Sequence, residues 1–180
     1  MYIWFGIDVN EQLLPLRDGI QNAEEVVPPT HSGLTLPLHI SLKISFYAPA
    51  DMVEAIKARV LAYYKSLTPF LIETASIQKE GGIIWLRYQP HATLIEVQTT
   101  LNQILLDEFG IPQHPYDLDF KFHTTLYMDS DPDKIEAAAE HLLPLPYPAR
   151  VIANRFCIGV SDDGSLGTYS VVETVTHELL

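Results

Sequence analysis

The chain has 180 residues, enough for one ordinary domain or two small lobes, and 47% are hydrophobic against 19% charged, which excludes a disordered segment and supplies a sizeable core. Lysine and arginine number 11 against 23 acidic residues, leaving a net charge of −12; that balance excludes sequence-independent binding to long duplex DNA or RNA, which takes a basic footprint. A single cysteine, Cys157, excludes an internal disulfide and a thiolate metal cluster.

"YIWFGID" (2–8) reads as an opening strand. It has no basic leader before Asp8, and no apolar run approaches the ~20 residues that span a bilayer, so a cytoplasmic protein without a membrane partner is expected. Residues 9–37 show little periodicity and carry "VVPPTHSGLTLP", so they read as a surface loop with His31 placed to cap whatever follows. "LHISLKISF" (38–46) alternates cleanly: Ile40, Leu42, Ile44 and Phe46 on one face, His39, Ser41, Lys43 and Ser45 on the other. A helix follows over 51–67, with Met52, Ile56, Val60 and Tyr64 near helical spacing. "FLIETASIQK" and "GIIWLRYQ" flank Gly81-Gly82 and read as a hairpin.

The next helix starts near Thr93, which has capping-box spacing to Glu96, and stops at Gly110. A strand over 119–128 places Phe120, Phe122, Thr124, Leu126 and Met128 on one face, and Asp119, Lys121, His123, Thr125 and Tyr127 on the other. Asp131 and Pro132 open a third helix as cap and first residue, and prolines 144, 146 and 148 end it. Two strands, 149–160 and 168–175, joined by the turn "SDDGSLG", complete the chain. Cys157 lies in the first of them as a buried, inert thiol.

The two halves rhyme: a strand carrying His-x-Ser/Thr, a helix, then a strand pair with a glycine turn. The order predicts an α+β fold over 1–180, two pseudo-symmetric antiparallel sheets with helices on their outer faces and a central cleft. One lobe is expected mainly from 38–110, its partner mainly from 118–180 with the N-terminal strand.

Period two puts His39 beside Ser41 and His123 beside Thr125, each pair on one face. Histidine exchanges a proton near neutrality, so a facing pair can act as general base and general acid. Hydroxyls can donate to anionic oxygens. Phosphodiester cleavage needs this set: a base for water, an acid for the leaving alkoxide, and donors for the phosphoryl oxygens. Lys43, Lys121 and Tyr127, on the same faces, are candidate substrate contacts, the lysines for phosphate and the tyrosine for a base or ribose. The other histidines lack ligand spacing, Asp162-Asp163-Gly164 lacks the further carboxylates of a calcium loop, and no Walker lysine is present. No metal and no cofactor is expected.

The tetrads H39-I40-S41-L42 and H123-T124-T125-L126, each on a predicted strand followed by a helix, resemble the paired His-x-Thr/Ser-x motifs of the 2H phosphoesterase superfamily, which includes bacterial 2′,5′ RNA ligase-like proteins and cyclic nucleotide phosphodiesterases. The resemblance implies a bilobal fold and a metal-independent site with His39 and His123 as catalytic groups and Ser41 and Thr125 as phosphate donors. It further implies a hydrolase acting on a small cyclic phosphodiester, a nucleotide or a short RNA end with a 2′,3′-cyclic phosphate; a monomer is expected. A binding protein that keeps the cleft without turnover is the alternative.

Overall fold

The structure, a computed structural model, describes residues 1–178. β1 (Tyr2–Asp8) is buried over its last six residues, as befits a strand with neighbours on both sides. The stretch expected to be loop instead forms a short 3-10 turn and helix α1 (Leu14–Val26). Leu13, Leu16, Ile20 and Ala23 are buried along one stripe, and Pro15 falls in the first turn, where its missing N–H costs nothing. Gly19 obscured that periodicity. A Cβ there would meet the Leu145 side chain, so α1 packs closely on the segment after the last helix.

β2 (His39–Tyr47), α2 (Ala50–Ser66) and the hairpin β3 (Phe70–Glu80) and β4 (Ile83–Tyr88) follow as expected. α3 (Ala92–Phe109) begins one residue before Thr93, behind His91, with no side-chain cap, so the expected capping box is not formed. It ends where expected, at Gly110 with φ 67°, whose N–H donates to the Leu106 carbonyl. The strand expected over 119–128 is shorter. A helical turn, α4 (Pro115–Leu118), is closed by a reciprocal cap between His114 and Asp117, and β5 (His123–Met128) starts only at the histidine. α5 (Pro132–Leu142) has Asp131 as cap and Pro132 in its first turn.

The expected strand 149–160 is two strands, β6 (Arg150–Ala153) and β7 (Arg155–Ser161), interrupted at Asn154. The interruption lets one run of chain serve both sheets: β6 pairs with β3, and β7 pairs with β1. With β8 (Ser170–Thr176), the orders are β2-β1-β7-β8 and β5-β4-β3-β6, every pairing antiparallel. The lobes therefore do not divide as 38–110 and 118–180. β3 and β4 complete the sheet of the second motif, and the repeated unit is strand-helix-motif strand-helix, β1-α1-β2-α2 and β4-α3-β5-α5. A single apolar core runs through both sheets. Gln12 ties the lobes, its amide nitrogen donating to the Ile152 carbonyl and its amide oxygen accepting from the Ile152 N–H, which also covers the exposed side of β6.

Candidate active site

Each motif strand lies at the edge of its own sheet, and the backbones of β2 and β5 come within 8 Å of each other. Both strands start with the same pattern: half-buried, buried, half-buried, then two buried residues in succession. The doubled burial marks a bulge. The β1–β2 register slips between Phe5↔Lys43 and Gly6↔Ser41, and the β4–β5 register slips between Ile84↔Tyr127 and Trp85↔Thr125. An extra residue in the ladder reverses the faces beyond it.

That bulge corrects the simple alternation. Lys43 is 2% exposed, and its Nζ is engaged by Asp117 Oδ2 at 2.7 Å and Asn102 Oδ1 at 2.8 Å, so it borders the cleft with its ammonium turned into the protein. Tyr127 is fully buried and donates its hydroxyl to the Val27 carbonyl at 3.0 Å. Lys121 precedes β5 and pairs with Glu80 at 3.2 Å on the surface. Neither Tyr127 nor Lys121 lines the cleft, whereas Ile44 and Met128, one residue past each bulge, do.

The structure brings His39, Ser41, His123 and Thr125 together on one cleft of about 290 Å³. His39 Nδ1 lies 2.7 Å from the Pro37 carbonyl, and His123 Nδ1 lies 2.5 Å from the Lys121 carbonyl. A carbonyl only accepts, so each neutral ring carries its proton on Nδ1 and keeps the Nε2 lone pair for chemistry. Burial pushes His39 down to about 4; the Pro37 carbonyl and Asp8 oppose this and His123 adds to it. Burial also lowers His123, opposed by the Lys121 carbonyl and Glu80 and reinforced by Arg87. Both rings are thus neutral at pH 7 until an anion enters and favours their protonation.

The walls are mostly residues that the sequence did not single out. Trp4 lines the cleft beside His39, with ring centroids 4.3 Å apart, while Trp85 packs on His123 at 4.5 Å without lining the cleft. The loop before β2 supplies His31, Ser32 and Gly33 to the lining; Phe120, Leu166 and Tyr169 close the other sides. Tyr169 is held by a short hydrogen bond to Ser45. Among the described residues no cluster of three or more His, Cys, Asp or Glu side chains is arranged to hold a metal, and no helix is long and apolar enough to cross a membrane. Cys157 is buried, and burial raises its thiol pKa.

Two carboxylates hold the His31 loop in place, Glu24 accepting from the Ser32 hydroxyl and the Gly33 N–H and Asp129 from Thr30. Asp129, at the end of β5, accepts from the Thr30 N–H at 2.7 Å, the Thr30 hydroxyl at 3.0 Å and the Asp131 N–H at 2.9 Å. The Asp131 and Thr30 amides hold its carboxyl well below the usual range. A depressed carboxyl contributes stability that is present above its unfolded value, about 4, and is lost as the pH falls through the folded one. Asp129→Asn is therefore expected to lower the melting temperature at pH 7 and to reduce its dependence on acid below pH 4. Equal acid dependence in the variant and the wild type would contradict this role.

The fold itself defines a class. Escherichia coli LigT superposes with a TM-score of 0.62 at 20% identity over 97% of this chain and 95% of its own. TT0787 of Thermus thermophilus gives 0.63 at 14% over 98% and 97%, and Kluyveromyces marxianus Usb1 gives 0.51 at 13% over 98% of each. At such identities the likeness speaks for the fold alone, the two-lobed α+β fold of 2H phosphoesterases. Residues 15–165 match the 2'-5' RNA ligase superfamily, and the chain belongs to that family. No curated protein matches it.

Proposed function

We propose that this protein is a metal-independent phosphoesterase that hydrolyses a small cyclic phosphodiester, or the 2′,3′-cyclic phosphate at an RNA end, by two-histidine general acid–base catalysis. The observation that carries the reading is the pair of anchored imidazoles: each Nδ1 is fixed to a backbone carbonyl two residues back, leaving two Nε2 atoms on one cleft. In this scheme one Nε2 takes the proton of the attacking water, and the other imidazole, protonated once the phosphate binds, delivers its proton to the leaving alkoxide. Ser41 and Thr125 donate to the phosphoryl oxygens. Membership of a family of phosphoesterases and ligase-like enzymes supports the reaction class. The capture of 3'-AMP by the fold neighbour LigT supports a nucleotide-sized ligand.

The test is a screen of 2′,3′-cyclic nucleotides and short RNAs with cyclic phosphate ends in the presence of chelator. Turnover that survives chelation and favours mononucleotide or short single-stranded substrates is expected, by a monomer, with negligible affinity for long duplexes because the net charge is −12. Binding of the same compounds without turnover would leave a nucleotide- or RNA-end-binding protein. A strict metal requirement would refute the mechanism.

A further inference from the structure

Both motif hydroxyls have an indole beside them, and the two lobes arrive at this by different routes. In the second lobe Trp85 is directly across from Thr125 in the ladder. In the first lobe the residue across from Ser41 is Gly6. A Cβ at Gly6 would collide with the Trp4 ring, and one at Gly159 would lie 2.6 Å from it. Trp4, two residues before Gly6, therefore lies over both glycines and fills the space that a side chain opposite Ser41 would occupy. Its indole N–H donates to Ser41 Oγ at 3.0 Å.

An indole N–H can only donate. With one Ser41 lone pair held by Trp4, the serine O–H is left to donate elsewhere, and Ser41 lines the cleft. We propose that Trp4 is a positioning residue that orients the Ser41 hydroxyl as a donor to the phosphoryl group; at the equivalent place in the second lobe no such bond is made. Trp85 is 8% exposed, its ring lies against His123, and its Nε1 has no hydrogen-bond partner. A buried donor of this kind is satisfied when a threonine rotamer turns toward it. This inference rests on the reading of the cleft as a phosphoester site.

The experiment is a double-mutant cycle on Trp4→Phe and Ser41→Ala, with hydrolysis of the best cyclic phosphodiester and binding of inorganic phosphate as separate readouts. Removing one orienting hydrogen bond is expected to lower kcat/KM and phosphate affinity by about 5- to 10-fold. In the Ser41→Ala background the same change is expected to have almost no effect, because the hydroxyl it orients is gone. Ser41→Thr is expected to keep most of the activity. Benzothienylalanine at position 4 keeps the indole's shape without its N–H and reproduces the loss even if phenylalanine fills the glycine platform poorly. An equal loss in both backgrounds, or no loss with benzothienylalanine, overturns the proposal. If wild type binds phosphate without hydrolysing any diester, the catalytic reading fails while the phosphate arm of the cycle still decides the inference. Binding neither, wild type refutes both.

Discussion

His39→Ala and His123→Ala are each expected to lower hydrolysis of the best cyclic phosphodiester by at least about 100-fold, since a positioned acid or base usually contributes ~10²–10⁴-fold. Each ring packs against an indole and is tied to a backbone carbonyl, so a modest fall in melting temperature is expected, and the rates are compared on folded protein. The double variant is expected to be little worse than either single one, since a base without its acid completes no turnover. The pH profile adds a second check. Burial lowers both imidazoles from 6.5, His39 to about 4. In the free protein the acid is therefore protonated only on the acid side of its ordinary value, and kcat/KM, which reports the free groups, should peak below pH 6.5. A bound phosphate anion favours the imidazolium, so the optimum of kcat should lie at higher pH than that of kcat/KM. Coincident profiles, or histidine variants as active as wild type, would remove the pair from the mechanism.

Motif residues were legible because a strand of period two and a proton-exchanging side chain can be read from four letters. Tyr127 and Lys43 were not, since period two is broken by two register shifts along β2 and one along β5, and such shifts are set by the partner strand. The tryptophans were missed for a related reason. "YIWFGID" reads as a buried strand, and only the pairing of Gly6 with Ser41 shows why Trp4 lies where it does. α1 was hidden by a glycine in its middle and a proline in its first turn, both of which tertiary packing and helix-end chemistry accommodate. The exchange of strands between lobes turns on one residue, Asn154, whose side chain donates to the His177 carbonyl, a contact with no local signature. Asp117 lies just before the expected strand 119–128, and its two roles, capping α4 and pairing with Lys43, have no local signature.

Lys43→Met is expected to destabilise the protein by about 3–5 kcal/mol, the usual cost of breaking a buried ion pair from one side. For a domain of this size that corresponds to a fall of roughly 10 °C in melting temperature at ~2–4 °C per kcal/mol. The reason is what remains. Asp117, whose side chain is fully buried, would keep only the N–H groups of Ile44 and His114 as donors, at 3.1 and 2.8 Å. Asp117→Asn should cost a similar amount, because the Lys43 ammonium would be left with the Asn102 side-chain oxygen at 2.8 Å and the Pro112 carbonyl at 3.4 Å. The double variant Lys43→Met/Asp117→Asn should be more stable than the sum of the single losses predicts, since no unpaired charge is then buried. Two measurements separate this role from substrate contact. A lysine that binds phosphate would raise KM and leave unfolding unchanged, whereas this pair should move the denaturation midpoint first. Because Lys43 follows the bulge two residues after Ser41, the surviving folded fraction should also lose activity in proportion to how far the serine shifts. Unchanged stability in both single variants, with KM raised in Lys43→Met, would return the lysine to the site.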